Sequence, residues 1–461
     1  MANVERYENL IIGSGIAGKF IAWTGDAHRT AIVERGLLGG ACPNVACLPS
    51  KNMIWSAKVI SLARRSMEFG LRTDLMTVDM AAVQRRKRMM VEELRKVHFD
   101  HTKASGAELI MGVARFVAPR TVEIELRDGG TRTISGDLVF LDLGSRAAIP
   151  EVPGLADAKP MTHVEALDLD RLPKHLIVLG GGYVGLELSQ AFRRFGSQVT
   201  VIEEGPQLAS REDPDIGAAL RDLFVDEGIE VLLNTRARRA EGHSGDRVRI
   251  YVNDERGDRA IEGSDLLVAT GRKANTDGIG LERAGVQLDA HGYIKVNERL
   301  ETGAENVWAM GDCAGSPQFT HVGYDDFSIV HANLNGGSRT TRNRLIPFCM
   351  FTDPELARVG RNEVEARRDG IEYRLAKMPM AEVLRTKTVS EPRGLMKVLV
   401  AKDSDEILGF TAFGFEASEQ MAAMQTAMLG HLAYTVLRDA ILTHPTMSEG
   451  LNQLLANVPA R

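Results

Sequence analysis

A chain of 461 residues with 44% hydrophobic and 26% charged residues and a net charge of -6 has the balance of a soluble globular protein of about three domains. The negative balance offers no attraction to nucleic acid or to an anionic membrane. No apolar run approaches the roughly 20 residues of a bilayer span, and the N-terminus lacks the basic and apolar regions of a secretory signal, so the expected location is cytoplasmic.

In chain order the first element is a strand, YENLIIG, followed by the glycine turn GSGIAG at 13–18, a helix, and a strand TAIVE ending on Glu34. This is the pattern of a dinucleotide site. Gly13 permits the tight turn, Gly15 lets backbone approach a pyrophosphate, Gly18 lets helix pack on strand, and Glu34 can accept a ribose hydroxyl. The glycine spacing alone is weak evidence, and the strand and helix around it give it force.

GGACPNVACLPSK at 39–51 follows at once and holds Cys42 and Cys47, two of the four cysteines. In a reducing compartment a close pair is more often catalytic or metal-binding than a staple. Zinc would want four ligands, and neither C-x-x-C nor a nearby His pair accompanies these two. Redox chemistry remains, and no metal site is assigned. Further on, RRKRMMVEELRKVHFDHT mixes charge and apolar residues at helical spacing and reads as an exposed helix face.

A second copy of the dinucleotide pattern follows in HLIVLGGGYVGLE, with Gly180, Gly182 and Gly185, then a helix and VTVIE ending on Glu203. Two such sites suggest two cofactors, one handing electrons to the other. The cysteines lie close after the first unit, and a bound flavin must sit beside the disulfide it reduces, so the first site is assigned to FAD and the second to NAD(P)H. Glu203, with Glu204 beside it, favours a free ribose hydroxyl, hence NADH as the preferred donor, while Arg211 leaves NADPH open. From about 339, strands LMKVLVA and ILGFTAF alternate with the helical EQMAAMQTAMLGHLAY, as in an α+β interface domain. Cys313 and Cys349, without cysteine neighbours, read as small buried residues.

These segments, together with G-G-x-C-x4-C-x-P-S-K, ATGR at 269–272, GDCAG at 311–315 and HPTMSE at 444–449, resemble the pyridine nucleotide-disulfide oxidoreductases, the family of dihydrolipoamide dehydrogenase, glutathione reductase and mercuric reductase. SPQFTHVGYDDFSIV and IPFCMFTDPELARVG look most like a mercuric-reductase-like branch that includes the reactive-chlorine-resistance flavoproteins. The resemblance covers nearly the whole chain. It implies an α/β protein with two Rossmann-like dinucleotide-binding domains plus a C-terminal α+β dimerisation domain. The FAD domain would take 1–145 and 272–338, the NAD(P)H domain 146–271, and the interface domain 339–461.

The resemblance also implies roles. One FAD per subunit would lie against Gly13, Gly15, Ile16, Ala17, Gly18, Glu34, Gly40, Ala41, Cys42, Lys51, Ala114, Gly144, Gly311, Asp312 and Thr320. NAD(P)H would lie against Gly180, Gly182, Tyr183, Val184, Gly185, Glu187, Glu203, Gly271 and Arg272. Cys47 would face the flavin and Cys42 exchange with substrate, both opening a helix whose dipole favours thiolate. Lys51 would pair with Glu187. His444, held by Glu449, would serve as acid-base partner to the Cys42 of the neighbouring subunit, which makes a homodimer necessary. The substrate would be a small or protein disulfide, with a metal ion or oxidant as alternative and a low-turnover redox sensor as a third reading. The chain ends LNQLLANVPAR without the C-terminal cysteine pair of standard mercuric reductases. It also departs from the family at Ala41, Pro43 and Ala46 around the cysteines, and at Asp142, which stands in DLGS where ATGS is usual.

Overall fold

The computed structural model describes residues 4–24, 29–72, 76–254 and 257–461. Strand Glu5–Ile12 runs into the interior and pairs in parallel with Thr30–Glu34 on one side and Thr131–Leu141 on the other. Helix α1 (Ile16–Thr24) makes the crossover that parallel pairing demands. Thr30–Glu34 is buried along its whole length, as a strand covered on both faces must be. Glu108–Ala118 extends the sheet beyond it, and Val307–Ala309 returns from far along the chain to pair with Thr131–Leu141.

Between these strands lie short α2 (Ala41–Val45), α3 (Cys47–Arg64) and α4 (Met80–Ala104). On α4 the expected exposed face is present, while Gln84, Lys87, Val91 and Thr102 point inward. Lys87 and Gln84 both donate to the Leu167 carbonyl, at 2.7 and 2.8 Å. Leu167 lies in α5 (His163–Asp168), so α4 braces the first unit against the second.

The second unit repeats the design. Four parallel strands stand in the order Asp265–Val268, His175–Leu179, Gln198–Ile202, Glu230–Leu232, with α6 (Tyr183–Phe195) and α7 (Pro214–Asp226) as crossovers. The chain passes between the two units twice, and the passing segments, Ser145–Ala147 and Arg272–Ala274, pair as an antiparallel ribbon. Beyond α8 (Thr320–Leu334), a five-stranded antiparallel sheet and its helices form the third unit with its own core. LMKVLVA and ILGFTAF are neighbours in that sheet. The expected helix EQMAAMQTAMLGHLAY stops at Leu429, where Gly430 and His431, with φ of 51°, break it before Tyr434.

Lys397 of this sheet is wholly buried, and Asp213, Asp215 and Glu363 converge on its Nζ. Those three carboxylates have the spacing of a cation site, and the lysine ammonium supplies the positive charge. The cluster fastens the start of α7 to the third unit. Among the described residues, no helix is long and apolar enough to cross a membrane.

Candidate active site

Both glycine turns are shaped by backbone crowding. A Cβ on Gly13, at φ +95°, would stand 2.2 Å from the Asp142 carbonyl oxygen, and one on Gly180, at φ +107°, 2.5 Å from that of Ala269. Only glycine fits either place. The two acidic residues repeat as well. Glu34 accepts from the Ser14 N–H and hydroxyl on Oε2, at 3.0 and 2.6 Å, and from Gly36 N–H at 2.6 Å on Oε1. Glu203 accepts from Gly181 N–H at 2.6 Å and Gly205 N–H at 2.7 Å.

A single cavity of ≈ 2120 Å³ joins the two turns and passes the cysteines. It is larger than an ordinary small-ligand pocket. Of the residues expected at FAD, Gly13, Gly15, Ile16, Glu34, Gly40, Ala41, Cys42, Lys51, Ala114, Gly144, Gly311, Asp312 and Thr320 line it. Of those expected at NAD(P)H, Gly180, Gly182, Tyr183, Val184, Glu187, Glu203, Gly271 and Arg272 line it, and so does Arg211. Ala17, Gly18 and Gly185 do not. Ala17 is in the core, and Gly18 and Gly185 let each helix close on the turn before it. Backbone turns open to phosphate, an anchored carboxylate at each strand end and room for extended ligands fit FAD and a pyridine nucleotide.

Cys42 and Cys47 are half-buried thiols on the cavity wall. They do not open one helix together, as the sequence suggested. Ala46, at φ -137° and ψ -103°, separates them, so Cys42 lies in the five-residue α2 and Cys47 is the first residue of the 18-residue α3. The dipole of the long helix therefore favours thiolate at Cys47 alone. The neighbouring Cys42 thiol, Thr320 Oγ1 at 3.4 Å from Cys47 Sγ and the charge of Lys51 together lower the pKa of the Cys47 thiol. Cys42, beside that sulfur and desolvated, is pushed up. The surroundings thus favour thiolate on Cys47 over Cys42.

Lys51 Nζ lies 2.8 Å from Glu187 Oε2, and the other oxygen of Glu187 accepts the Phe351 N–H at 2.8 Å. Tyr183 donates its hydroxyl to Glu212 at 2.8 Å, and Glu212 pairs with buried Arg358. Asp312 accepts from the Ser145 hydroxyl and lies 3.7 Å from Arg272, so both strands of the connecting ribbon reach it. His444 Nδ1 and Glu449 Oε2 are 2.9 Å apart, with the His444 side chain 65% exposed. Neither lines the cavity of its own chain.

Cys313 is buried as expected, its thiol donating to the Met310 carbonyl and pushed up to about 12 by desolvation. Cys349 differs from expectation: it is half-buried and lines the cavity, because its strand Pro347–Met350 is the edge of the third sheet. Asp142, an unexplained departure in the sequence, reaches under the first glycine turn, accepts Gly18 N–H at 2.8 Å and lines the cavity. Burial and the nearby Asp312, Asp326 and Glu34 carboxylates push it up to about 7. Asp326, which the sequence did not single out, accepts Gly311 N–H at 2.7 Å and pairs with Arg344. Its only sequence signal is the acidic pair in YDDF.

The family model described as pyridine nucleotide-disulphide oxidoreductase matches residues 7–326, and that of the family's dimerisation domain matches residues 346–455. A protein of Escherichia coli (strain K12) described as probable pyridine nucleotide-disulfide oxidoreductase RclA is 32% identical over 464 residues, covering 99% of this chain and 100% of that one. A mercuric reductase of Streptomyces lividans is 34% identical over 453 residues, covering 96% and 94%. Among solved structures, the Cu(II) complex of the HOCl-induced flavoprotein disulfide reductase RclA from Escherichia coli matches with a TM-score of 0.89 at 31% identity, over 98% of this chain and 99% of that one. With the paired glycine turns, the cysteines between them and these matches along nearly its whole length, the chain belongs to the pyridine nucleotide-disulphide oxidoreductase family of FAD-dependent flavoenzymes.

Proposed function

We propose that the protein uses NADH in preference to NADPH to reduce a small or protein disulfide in the cytoplasm, through the Cys42–Cys47 pair. The observation that carries this reading is the placement of the pair: Cys42 and Cys47 lie on the wall of one cavity between two dinucleotide turns, with Cys47 as the first residue of α3. Bound FAD would supply a two-electron relay between the nicotinamide and the Cys42–Cys47 disulfide. The residues called upon are those named above. Gly13, Gly15 and Glu34 hold the FAD side, and Gly180, Gly182 and Glu203 the nicotinamide side. Lys51 and Glu187 keep the charge beside the pair balanced, and Thr320 steadies the Cys47 thiolate. Glu203 and the exposed Glu204 disfavour a 2′-phosphate, whereas Arg211 on the same wall is where one would be accepted.

The ribbon of Ser145–Ala147 with Arg272–Ala274 is then the border between FAD and nucleotide domains, with the interface domain beginning near 339. His444 and Glu449 act in trans. The exposed imidazole, held by Glu449, would take the Cys42 proton of the neighbouring subunit, so each site of the homodimer is built from two chains. A second reading, reduction of a metal ion or oxidant by the same dithiol, is supported by the names of the relatives, mercuric reductases and a Cu(II)-complexed RclA.

Anaerobic titration of the holoenzyme with NADH is the test. Uptake of about four electrons per subunit is expected, two for flavin and two for the disulfide, and uptake of two would remove the redox pair. Cys42→Ser should keep NADH-to-flavin transfer and lose disulfide reduction. Unchanged turnover with Cu(II) or Hg(II) in that variant would instead place metal reduction at the flavin.

A further inference from the structure

Asp142 directly follows strand Thr131–Leu141, and both its backbone and its side chain enter the first glycine turn. Its N–H donates to the Ile12 carbonyl at 2.9 Å, and its Oδ2 accepts Gly18 N–H at 2.8 Å. A Cβ on Gly15 would stand 2.5 Å from Oδ2 and 2.8 Å from Oδ1, and one on Gly311 3.2 Å from Oδ1. The carboxyl group therefore lies against Gly15, the point of the turn where backbone is free to meet a pyrophosphate. Asp142 is 7% exposed and lines the cavity.

The other carboxylates around the turn are held by several donors. Glu34, at the end of Thr30–Glu34, has Ser14 and Gly36. Asp326 on α8 accepts from Gly311 N–H and the Ser316 hydroxyl, both at 2.7 Å, and from Arg344 at 2.6 Å. Asp312 has the Ser145 hydroxyl and Arg272. Among the described residues Asp142 has Gly18 N–H alone for its side chain, and it forms no ion pair. Lys19 on α1, 4% exposed, does not pair with it; the lysine Nζ stands 3.2 Å from His98 Nε2. The Cys313 thiol beside Asp312 is buried and bonded to the Met310 carbonyl.

A glycine turn at a helix start attracts an anion. An ionised Asp142 would set a second anion against the first on a poorly solvated wall, where like charges are weakly screened. We propose that Asp142 is a cofactor-site residue that carries its proton when FAD is held, so that the first glycine turn takes up the dinucleotide and a proton together. The proposal rests on the assignment of that turn to FAD. Neutral, the carboxyl still accepts Gly18 N–H through Oδ2 and leaves Oδ1 to carry the proton, a donor for an anion in place of a rival charge. Burial, and after it the Asp312, Asp326 and Glu34 carboxylates, act in the same direction and push Asp142 up to about 7. The proton comes from solvent. By linkage, FAD affinity is highest where Asp142 is already neutral and falls as pH rises.

The experiment measures FAD binding to the oxidised, FAD-free protein against pH, by quenching of flavin fluorescence, for the parent and for Asp142→Asn. The amide keeps an acceptor for Gly18 N–H and a donor, without the charge. The parent's Kd should rise about tenfold between about pH 6 and 9, while that of Asp142→Asn stays within about twofold of the parent's low-pH value. Any slope from Glu34, Asp312 or Asp326 is common to both proteins and cancels in the ratio. At about pH 7.5 the parent should also take up about half a proton more than Asp142→Asn on binding FAD, read with an indicator dye in weak buffer. A ratio of Kd values that is constant across pH overturns the proposal, and so does equal proton uptake. NAD⁺ binding to the FAD-loaded proteins tests the assignment beneath it, and equal affinities in the two proteins are expected. A pH-dependent difference in NAD⁺ affinity with none in FAD affinity would put the nicotinamide nucleotide at the first turn and overturn both.

Discussion

Thr320 Oγ1 stands 3.4 Å from Cys47 Sγ, joining the first residue of α8 to the first residue of α3. Two helix starts and a hydroxyl thus converge on one sulfur, and Lys51 lies one turn along from it. Thiolate on Cys47 is therefore favoured, and it is lost as pH falls through the lowered pKa of this thiol. Thr320→Val should raise that midpoint by about one unit. Thiolate ultraviolet absorbance of the reduced protein, followed against pH, reads the midpoint directly. An unchanged midpoint would assign the depression to Cys42 and Lys51 alone.

Glu187 is buried and held by two partners, Lys51 and the Phe351 N–H. Lys51→Met removes the cation and leaves a buried carboxylate with one donor, at a cost of about 2 kcal/mol after allowing for the partial exposure of Lys51. The double variant with Glu187→Gln should recover about half of that loss. Chemical denaturation of the three proteins measures the stability, and stopped-flow reduction by NADH should show both Lys51 variants slowed at least about tenfold.

Burial pushes Asp142 up to about 7 in the fold, against about 3.9 in an unfolded chain. Its folded form holds the proton more tightly, so the folded state binds more protons than the unfolded between about pH 4 and 7. Stability attributable to this residue falls as pH rises through that window and is flat above it. Asp142→Asn keeps an acceptor for Gly18 N–H and loses the charge. It should be the more stable protein at pH 8 by up to about 4 kcal/mol, with no difference at pH 4. Urea unfolding of the FAD-free proteins at the two pH values gives the comparison, and equal stabilities at pH 8 would show that Asp142 is not desolvated.

Glu449 contacts an exposed imidazole that does not line the cavity of its own chain. His444→Ala should lower turnover with a disulfide substrate by about 10²–10⁴, while leaving NADH reduction of the flavin untouched. Hybrid dimers between His444→Ala and Cys42→Ser subunits should regain activity that neither parent has, because one of their two sites is complete. Hybrids as inactive as the parents would place the histidine's action within its own chain.

Much of this site was legible in short stretches of sequence. Gly13, Gly18, Gly180 and Gly185 mark places where backbone meets backbone within a few residues, and steric constraints of that range leave a pattern anyone can read. GGACPNVACLPSK named the cysteines, and the pairing of Lys51 with Glu187 came from resemblance. The division of α2 from α3 at Ala46 did not show, since alanine favours helix and only the surrounding packing forces the break. Asp142 was visible as a departure without a consequence. Its meaning depends on Gly18, Asp312 and Asp326, all distant in the chain.

The sequence by itself determined the two glycine turns, the close cysteine pair and the family, because each is written in local spacing that sterics and hydrogen bonding impose within a single strand, turn and helix. Tertiary structure decided which cysteine opens the long helix, why Lys397 sits among three carboxylates, and where Lys19 ends up. Those outcomes depend on desolvation and on Coulomb fields between groups far apart in the chain, and such energies exist only once the sheets and helices have closed around them.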